Sequence, residues 1–307
     1  MSGLVRVNVG CGRVWHPDWV NLDHRPASPE IRRFDLRQPL PFADAAVDAV
    51  YASHVLEHLD RSEGKKLLAE CRRILKPGGI VRIVVPDLEE LCRFYLRQLS
   101  LAVERPGSET ELAYDWAYLQ LIDQHVRRRP GGEILVHLEQ PGLLANPHLD
   151  NRLSLEIQEL IRRKTIQGAD DAGGTRASAA SATRRMRFAA LRQARGLLKR
   201  SGMAVIRKLF SPSVTDSLET ALFLRTGEVH RIGYDRFSLP RLLRQTGFDQ
   251  VEVVGASQSS IPGFSDSGLD CIDGQPRKPG SLFVEGICPQ RGSITQIPQR
   301  MRHEAAA

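Results

Sequence analysis

The apolar positions of the chain come in short runs separated by longer amphipathic stretches. LVRVNV at 4–9 reads as a buried strand and is broken at once by GCG. WVNLD at 19–23 is a second short strand, ending on Asp23, and VDAVYA at 47–52 is a third. In DRSEGKKLLAECRRIL the spacing changes. Leu67, Leu68, Cys71, Ile74 and Leu75 fall on one helical face, and Asp60 and Glu63 are spaced as a capping box. KPGG stops this helix at Gly78–Gly79, and IVRIVVP at 80–86 forms a strongly apolar strand closed by Pro86. Strands alternating with helices predict a parallel sheet covered by helices.

The pattern then lapses. Residues 87–165 are helical and mixed, with no clear strand. Residues 168–183 are small and polar, the composition of a flexible linker, and 184–210 predict a basic helix. The α/β pattern returns with a helix at 238–248 and strands at 250–256 and 281–287, and 291–307 form a loose tail. The expected organisation is one α/β domain built from 1–90 and 235–290, with a mostly helical insertion over 91–234 before the last helix and two strands.

A glycine turn directly after the first strand of a parallel sheet points to a ligand at the carboxyl ends of the strands. A dinucleotide fingerprint needs a third glycine and a full helix before the acidic residue. Here Trp15 stands where that glycine belongs, Pro17 interrupts the interval, and Asp23 follows Gly12 by only eleven residues. A nucleoside without a pyrophosphate fits better: the backbone approaches closely at Gly10–Gly12, and Asp23 is available for ribose hydroxyls.

VNVGCGRVWHPDWVNLD, DLRQPLPFADAAVDAVYASHVLEHL and ECRRILKPGGIVRIVVPDLEEL, in that order over roughly residues 5–95, resemble the class I S-adenosylmethionine-dependent methyltransferases of the "methyltransferase 11" type. YDRFSLPRLLRQTGF and RKPGSLFVEG are similar to a bacterial subgroup associated with cell-surface polysaccharide synthesis. The resemblance implies a Rossmann-like sheet and S-adenosyl-L-methionine as cofactor. It implies that Gly10, Cys11 and Gly12 lie under the methionine part and that Asp23 binds the ribose. Asp35 and Leu36 would flank the adenine, and Ser53 and His54 would line the methyl end. The family's longer glycine run is incomplete, since Val7 and Asn8 stand where its first glycine would be.

SHVLEHL at 53–59 contains H-x-x-E-H, the zinc signature of certain peptidases. That motif needs both histidines on one helical face. Here the strand before it and the Asp60–Glu63 box after it put His54 and His58 across a turn, which is expected to keep them apart. The expected site therefore holds no metal. A zinc-dependent hydrolase using His54, Glu57 and His58 stays as an alternative, beside hydrogen bonds that merely tie down the turn. In the methyltransferase reading, His54, His58, Asp123 and His125 are the candidates for a general base toward a hydroxyl acceptor, which would be a saccharide or related bacterial metabolite.

Composition narrows the setting. No apolar run is long enough to span a bilayer, no leader-like segment opens the chain, and the five cysteines form no C-x-x-C pair, which together suit a cytoplasmic protein. The net charge of +7 is concentrated: residues 172–215 carry ten basic residues and no acid. Phe188, Leu191, Leu198 and Val205 share a face of the helix predicted there, the pattern of a segment lying at an anionic membrane surface, where a lipid-linked glycan acceptor would be found. Few aromatic residues interleave the basic ones, which argues against nucleic acid. A non-catalytic membrane-surface protein is the remaining alternative.

Overall fold

The computed structural model describes residues 3–149, 153–155, 157–158 and 211–290. The predicted linker at 168–183, basic helix at 184–210 and tail at 291–307 lie outside the described residues.

Seven strands form one sheet: β1 (Arg6–Val9), β2 (Val20–Asp23), β3 (Arg32–Arg33), β4 (Val47–Ser53), β5 (Leu75–Pro86), β6 (Asp249–Val254) and β9 (Ser281–Ile287). Their order is β3-β2-β1-β4-β5-β9-β6, with β1 to β5 parallel and β9 antiparallel to both neighbours. A small ladder, β7 (Cys271–Ile272) with β8 (Gln275–Pro276), stands apart. The period-2 alternation divides the core as the sheet pleat requires. Val50, Ala52, Val81, Ile83, Val85, Leu282 and Val284 face one side. There they meet Leu67, Leu68, Cys71 and Ile74 of α1 (Arg61–Ile74) and Leu239 and Leu243 of α6 (Ser238–Gln245). Ala49, Tyr51, Val84 and Phe283 face the other side, packed with Trp19, Ile261 and Phe264.

The capping box forms as expected. The Asp60 carboxylate accepts from Ser62 and Glu63 N–H, and Glu63 accepts from Asp60 N–H. The helix stop differs. The chain passes straight from α1 into β5 at Leu75, five residues before the expected strand. Leu75 is buried and pairs with Val47, and KPGG becomes an irregularity inside the strand, after which Ile80 pairs with Ala49. Strand β3 was not legible, because Arg32 and Arg33 are exposed and carry no apolar signal.

The departure and return points of the insertion lie side by side. Leu88 N–H donates to Tyr234 O, and Asp87 bridges to Tyr234. Between them run α2 (Leu88–Glu104), α3 (Ser108–Val126), α4 (Gly132–His137) and α5 (Pro212–Leu224). Phe94, Ala113, Trp116, Ala117, Leu138, Leu143 and Leu149 give this part its own core. Among the described residues no helix is long and apolar enough to cross a membrane.

One polar group breaks the apolar run of β5. Arg82 is fully buried and lies directly across from Glu285 of β9. It donates to Glu285 at 2.8 Å, to Asp270 at 2.7 Å, and to the carbonyls of Gly255, Ala256 and Gln258. Its guanidinium lies over Phe264 and Phe283. Tyr51 also donates to Asp270. Arg82 therefore ties loop 255–270 onto the sheet. Removing it would leave two carboxylates buried without their cation. Arg82→Met is expected to lower the unfolding free energy by about 3–5 kcal/mol in urea titrations; a variant as stable as wild type would mean that the network contributes little.

Candidate active site

In an open sheet of this kind, ligands bind outside the carboxyl ends of the strands where the strand order reverses. Here the reversal falls between β1 and β4: the chain goes from β1 outward to β2 and from β4 outward to β5. A cavity of about 400 Å³ lies there, a size usual for small-molecule sites. Its floor is the turn after β1, with Gly10, Cys11 and Gly12. Ser53 ends β4, His54 follows it, and Ser281 begins β9. Gln120 and Gln124 of α3, with Ser154 and Ile157, bring the insertion over it, and Arg277 and Lys278 come from the segment before β9.

The glycine turn is built for two different reasons. Gly10 has φ +68, and a Cβ there would stand 2.4 Å from Val55 Cγ2, so that glycine serves close packing beneath the site. Gly12 has φ +57 and open space where a Cβ would go. Its N–H donates to Asp23 Oδ2 at 2.8 Å, and Asp23 Oδ1 accepts from Arg25 N–H, so the carboxylate at the end of β2 is fixed beside the turn. Burial pushes the Cys11 thiol up to about 12, with Asp23 adding to the effect, so it stays protonated and unreactive at neutral pH.

Asp35 and Leu36 lie outside the cavity lining. Asp35 holds a paired contact with Arg37 at 2.9 and 2.8 Å, and that hydrogen bonding keeps its carboxyl below the usual range. Leu36 packs beneath Gly10. Asp123 and His125 also stand away from the cavity. Asp123, 4% exposed, pairs with Arg127 at 2.7 Å and accepts from Glu133 N–H at the start of α4; these contacts hold α3 to α4. His125 Nδ1 meets His230 O at 3.0 Å.

The histidine turn departs from expectation. Its residues form a 3-10 turn at Leu56–His58, and His54 takes the left-handed region with φ 55, a strained conformation for a side-chain-bearing residue. The result gathers the histidines rather than separating them. His54 Nδ1 lies 3.1 Å and His58 Nε2 4.0 Å from the same Glu57 Oε1. On the cavity side, His54 Nε2 is 3.0 Å from Ser281 Oγ. Burial pushes the Glu57 carboxyl up to about 7 and holds His54 well below the usual imidazole range. Neither Glu57 oxygen accepts a well-angled hydrogen bond although the side chain is buried; the His54 contact has the distance of one but not its angle. His230, at the returning end of the insertion, packs edge-on against His58 with ring centres 4.7 Å apart. Sequence spacing had no means of finding His230, since it meets His58 only through the fold. Tyr51, Asp270 and Lys278 were likewise missed as cavity residues; the signal present was an arginine, Arg82, in the centre of an apolar strand.

The cavity has open space above Gly12, and Asp23, which is not in the lining, is fixed beside that turn by Gly12 N–H. Residues 8–83 match the family model described as a methyltransferase domain. Solved structures similar to the chain include a complex between the Haloferax volcanii Trm112 methyltransferase activator and a putative methyltransferase (13% identity, 94% of this chain and 84% of that one, TM-score 0.36). Another is a possible histamine N-methyltransferase from Thermotoga maritima (10% identity, 94% and 83%, TM-score 0.34). A third is a methyltransferase from Archaeoglobus fulgidus (22% identity, 34% and 61%, TM-score 0.26). A search of the curated proteins returns no match.

The two glycines should separate in experiment. Gly10→Ala is expected to cost about 2–4 kcal/mol of stability, from backbone strain and overpacking against Val55 together. Gly12→Ala should cost only the backbone term of about 1–2 kcal/mol while weakening binding of S-adenosylhomocysteine. Urea titration and calorimetry check the pair; equal stability losses would contradict the assignment. The strand order and the cavity at its reversal point are those of a Rossmann-like sheet, and within it residues 8–83 match the methyltransferase-domain model.

Proposed function

We propose that the protein transfers the methyl group of S-adenosylmethionine to a hydroxyl of a saccharide or a related metabolite, with His54 as the general base. Asp23, beside the cavity, holds the ribose, the Gly10–Gly12 turn underlies the methionine portion, and Ser53 and His54 face the methyl end; Asp35 and Leu36, outside the lining, would reach the adenine only where it extends past the cavity. The cofactor supplies the methyl as an electrophile on a sulfonium sulfur. The chain's own work is to align the acceptor oxygen with that methyl, exclude water, and receive the hydroxyl proton.

The observation that carries this reading is the placement of His54. Among the described residues it is the one histidine in the cavity lining, with Nε2 toward Ser281 on the cavity side and Nδ1 toward Glu57. His54 Nδ1 lies 3.1 Å from Glu57 Oε1; with the proton on Nδ1, Nε2 keeps its lone pair for the acceptor's proton, and Ser281 Oγ occupies that position meanwhile. His58 is a neighbour of Glu57 rather than of the cavity. The polar side chains of Gln120, Gln124 and Ser154 support a hydroxyl-rich acceptor, and the insertion that carries them, 91–234, is read as the substrate-recognition part. We further read the segment 184–210 as a membrane-surface contact for a lipid-linked acceptor.

His54→Asn keeps a residue that tolerates the left-handed backbone. It is expected to lower kcat by about 10²–10⁴-fold while leaving S-adenosylhomocysteine affinity near wild type. Asp23→Ala should weaken that affinity by about 10–100-fold, the loss of about 1.5–3 kcal/mol of charge-assisted hydrogen bonding. Methyl-labelled donor, offered with free, nucleotide-linked and lipid-linked sugars, reads out turnover. Transfer to amines but to no hydroxyl, or full activity in His54→Asn, would overturn the proposal.

A further inference from the structure

Behind His54 lies a buried triad of metal-ligating residue types, of which His58 and His230 take no part in the methyl-transfer reading. Glu57, His58 and His230 each present one ligand atom, and these atoms lie within 4.8 Å of one another. Two independent features point to a ligand among them. Glu57 is 1% exposed, yet neither of its oxygens accepts a well-angled hydrogen bond, the nearest polar contact being His54 Nδ1 at 3.1 Å, a costly state for a buried carboxyl group. The second feature is how the histidines are oriented. His58 Nδ1 lies 3.3 Å from Val229 O, which holds the ring by that nitrogen and turns Nε2 toward Glu57. Histidines that bind metals are oriented in just this way, with the other ring nitrogen donating to a carbonyl. His230 is fixed through its backbone, its N–H donating to Gln124 O and its carbonyl accepting from His125.

We propose that Glu57, His58 and His230 form a binding site for a divalent transition metal, of which Zn²⁺ is the type. Two imidazoles and one carboxylate, without thiolate, are the donor set of three-ligand zinc sites that keep a fourth position open. Ligand atoms bonded to one tetrahedral zinc at about 2.0–2.2 Å stand roughly 3.3–3.6 Å apart, so the triad has to close by up to about an ångström around the ion. The assignment differs from the H-x-x-E-H reading of the sequence. There the two histidines of the motif bind and the glutamate acts as base. Here the glutamate and the second histidine bind, the third ligand comes from the far end of the insertion, and His54 stays with the cavity. A metal held this way would cross-link the turn after β4 to the returning strand of chain at 229–232, whose Arg231 and Ile232 N–H groups already donate to Glu57 O. The site is independent of the nature of the acceptor.

The test is metal content and spectroscopy of the full chain, with no activity required. Chelator-stripped protein is loaded with Zn²⁺, dialysed and measured for bound metal, and is loaded separately with Co²⁺ for visible absorption. The expected result is one retained Zn²⁺ per chain and the intense absorption of low-coordinate Co²⁺. Both should persist in His24→Ala, an exposed histidine, and be lost in Glu57→Gln, His58→Ala and His230→Ala. Circular dichroism identifies the variants that fold. Should His230→Ala not fold, His58→Ala, whose side chain is a quarter exposed, and the wild-type Co²⁺ spectrum decide. Wild type that retains no metal, Co²⁺ absorption of the six-coordinate type, or full retention by a folded Glu57→Gln would overturn the site.

Discussion

The constraint on which the structure depends is the parting of the chain between β1 and β4. These strands run parallel and adjacent, yet each leads on to a strand on its other side, so no connection covers the space between their carboxyl ends. Every feature of the site follows from that gap. The turn after β1 must fold away from it and uses left-handed glycines. The chain after β4 must do the same without a glycine and places His54 in the left-handed region. Strain of this kind, on the order of 1–3 kcal/mol, persists only where the surroundings over-determine it. Here His54 is held by its N–H to Val84 O, by Ser281 and by Glu57.

The reversed strand β9 contributes in a less evident way. Running antiparallel beside β5, it brings Ser281 to the cavity at its start and Glu285 opposite Arg82 further along. The buried Arg82–Asp270–Glu285 group joins sheet, loop and cavity wall, since Asp270 also lines the cavity. Burial raises the Asp270 carboxyl while Arg82 and Tyr51 pull it down. That balance between desolvation and pairing is typical of ionic groups whose value lies in fixing one arrangement.

Much of the fold was legible in the sequence because its core strands and α1 repeat their apolar positions with the periods of 2 and 3.6 that burial demands. The capping box at Asp60–Glu63 marked a helix start, and GCG after a strand marked the ligand end. What escaped had physical reasons. Arg32 and Arg33 form an edge strand with no side to bury, and Leu75 joins β5 through a pairing that no local pattern encodes. The grouping of His54, His58 and His230 around Glu57 arises from a backbone reversal at a non-glycine residue and from contacts across the whole insertion. Spacing along a chain reports neither. Asp123 drew notice as a possible base, but a carboxylate beside arginines is equally suited to closing one helix onto the next, as it does with Arg127 and the start of α4.

The insertion brings side chains of its own to the cavity. Its ends meet at Asp87 and Tyr234, its own core stiffens it, and α3 lays Gln120 and Gln124 across a cavity that the sheet alone would leave open. The account's central claim is that the donor lies over the β1–β4 gap with its sulfur toward His54. A crystal structure of the protein with S-adenosylhomocysteine tests it most directly. The account predicts ribose hydroxyls on Asp23, the methionine portion over Gly12, and the sulfur facing His54 beneath α3. A ligand seated elsewhere, or one whose sulfur points away from His54, would contradict it.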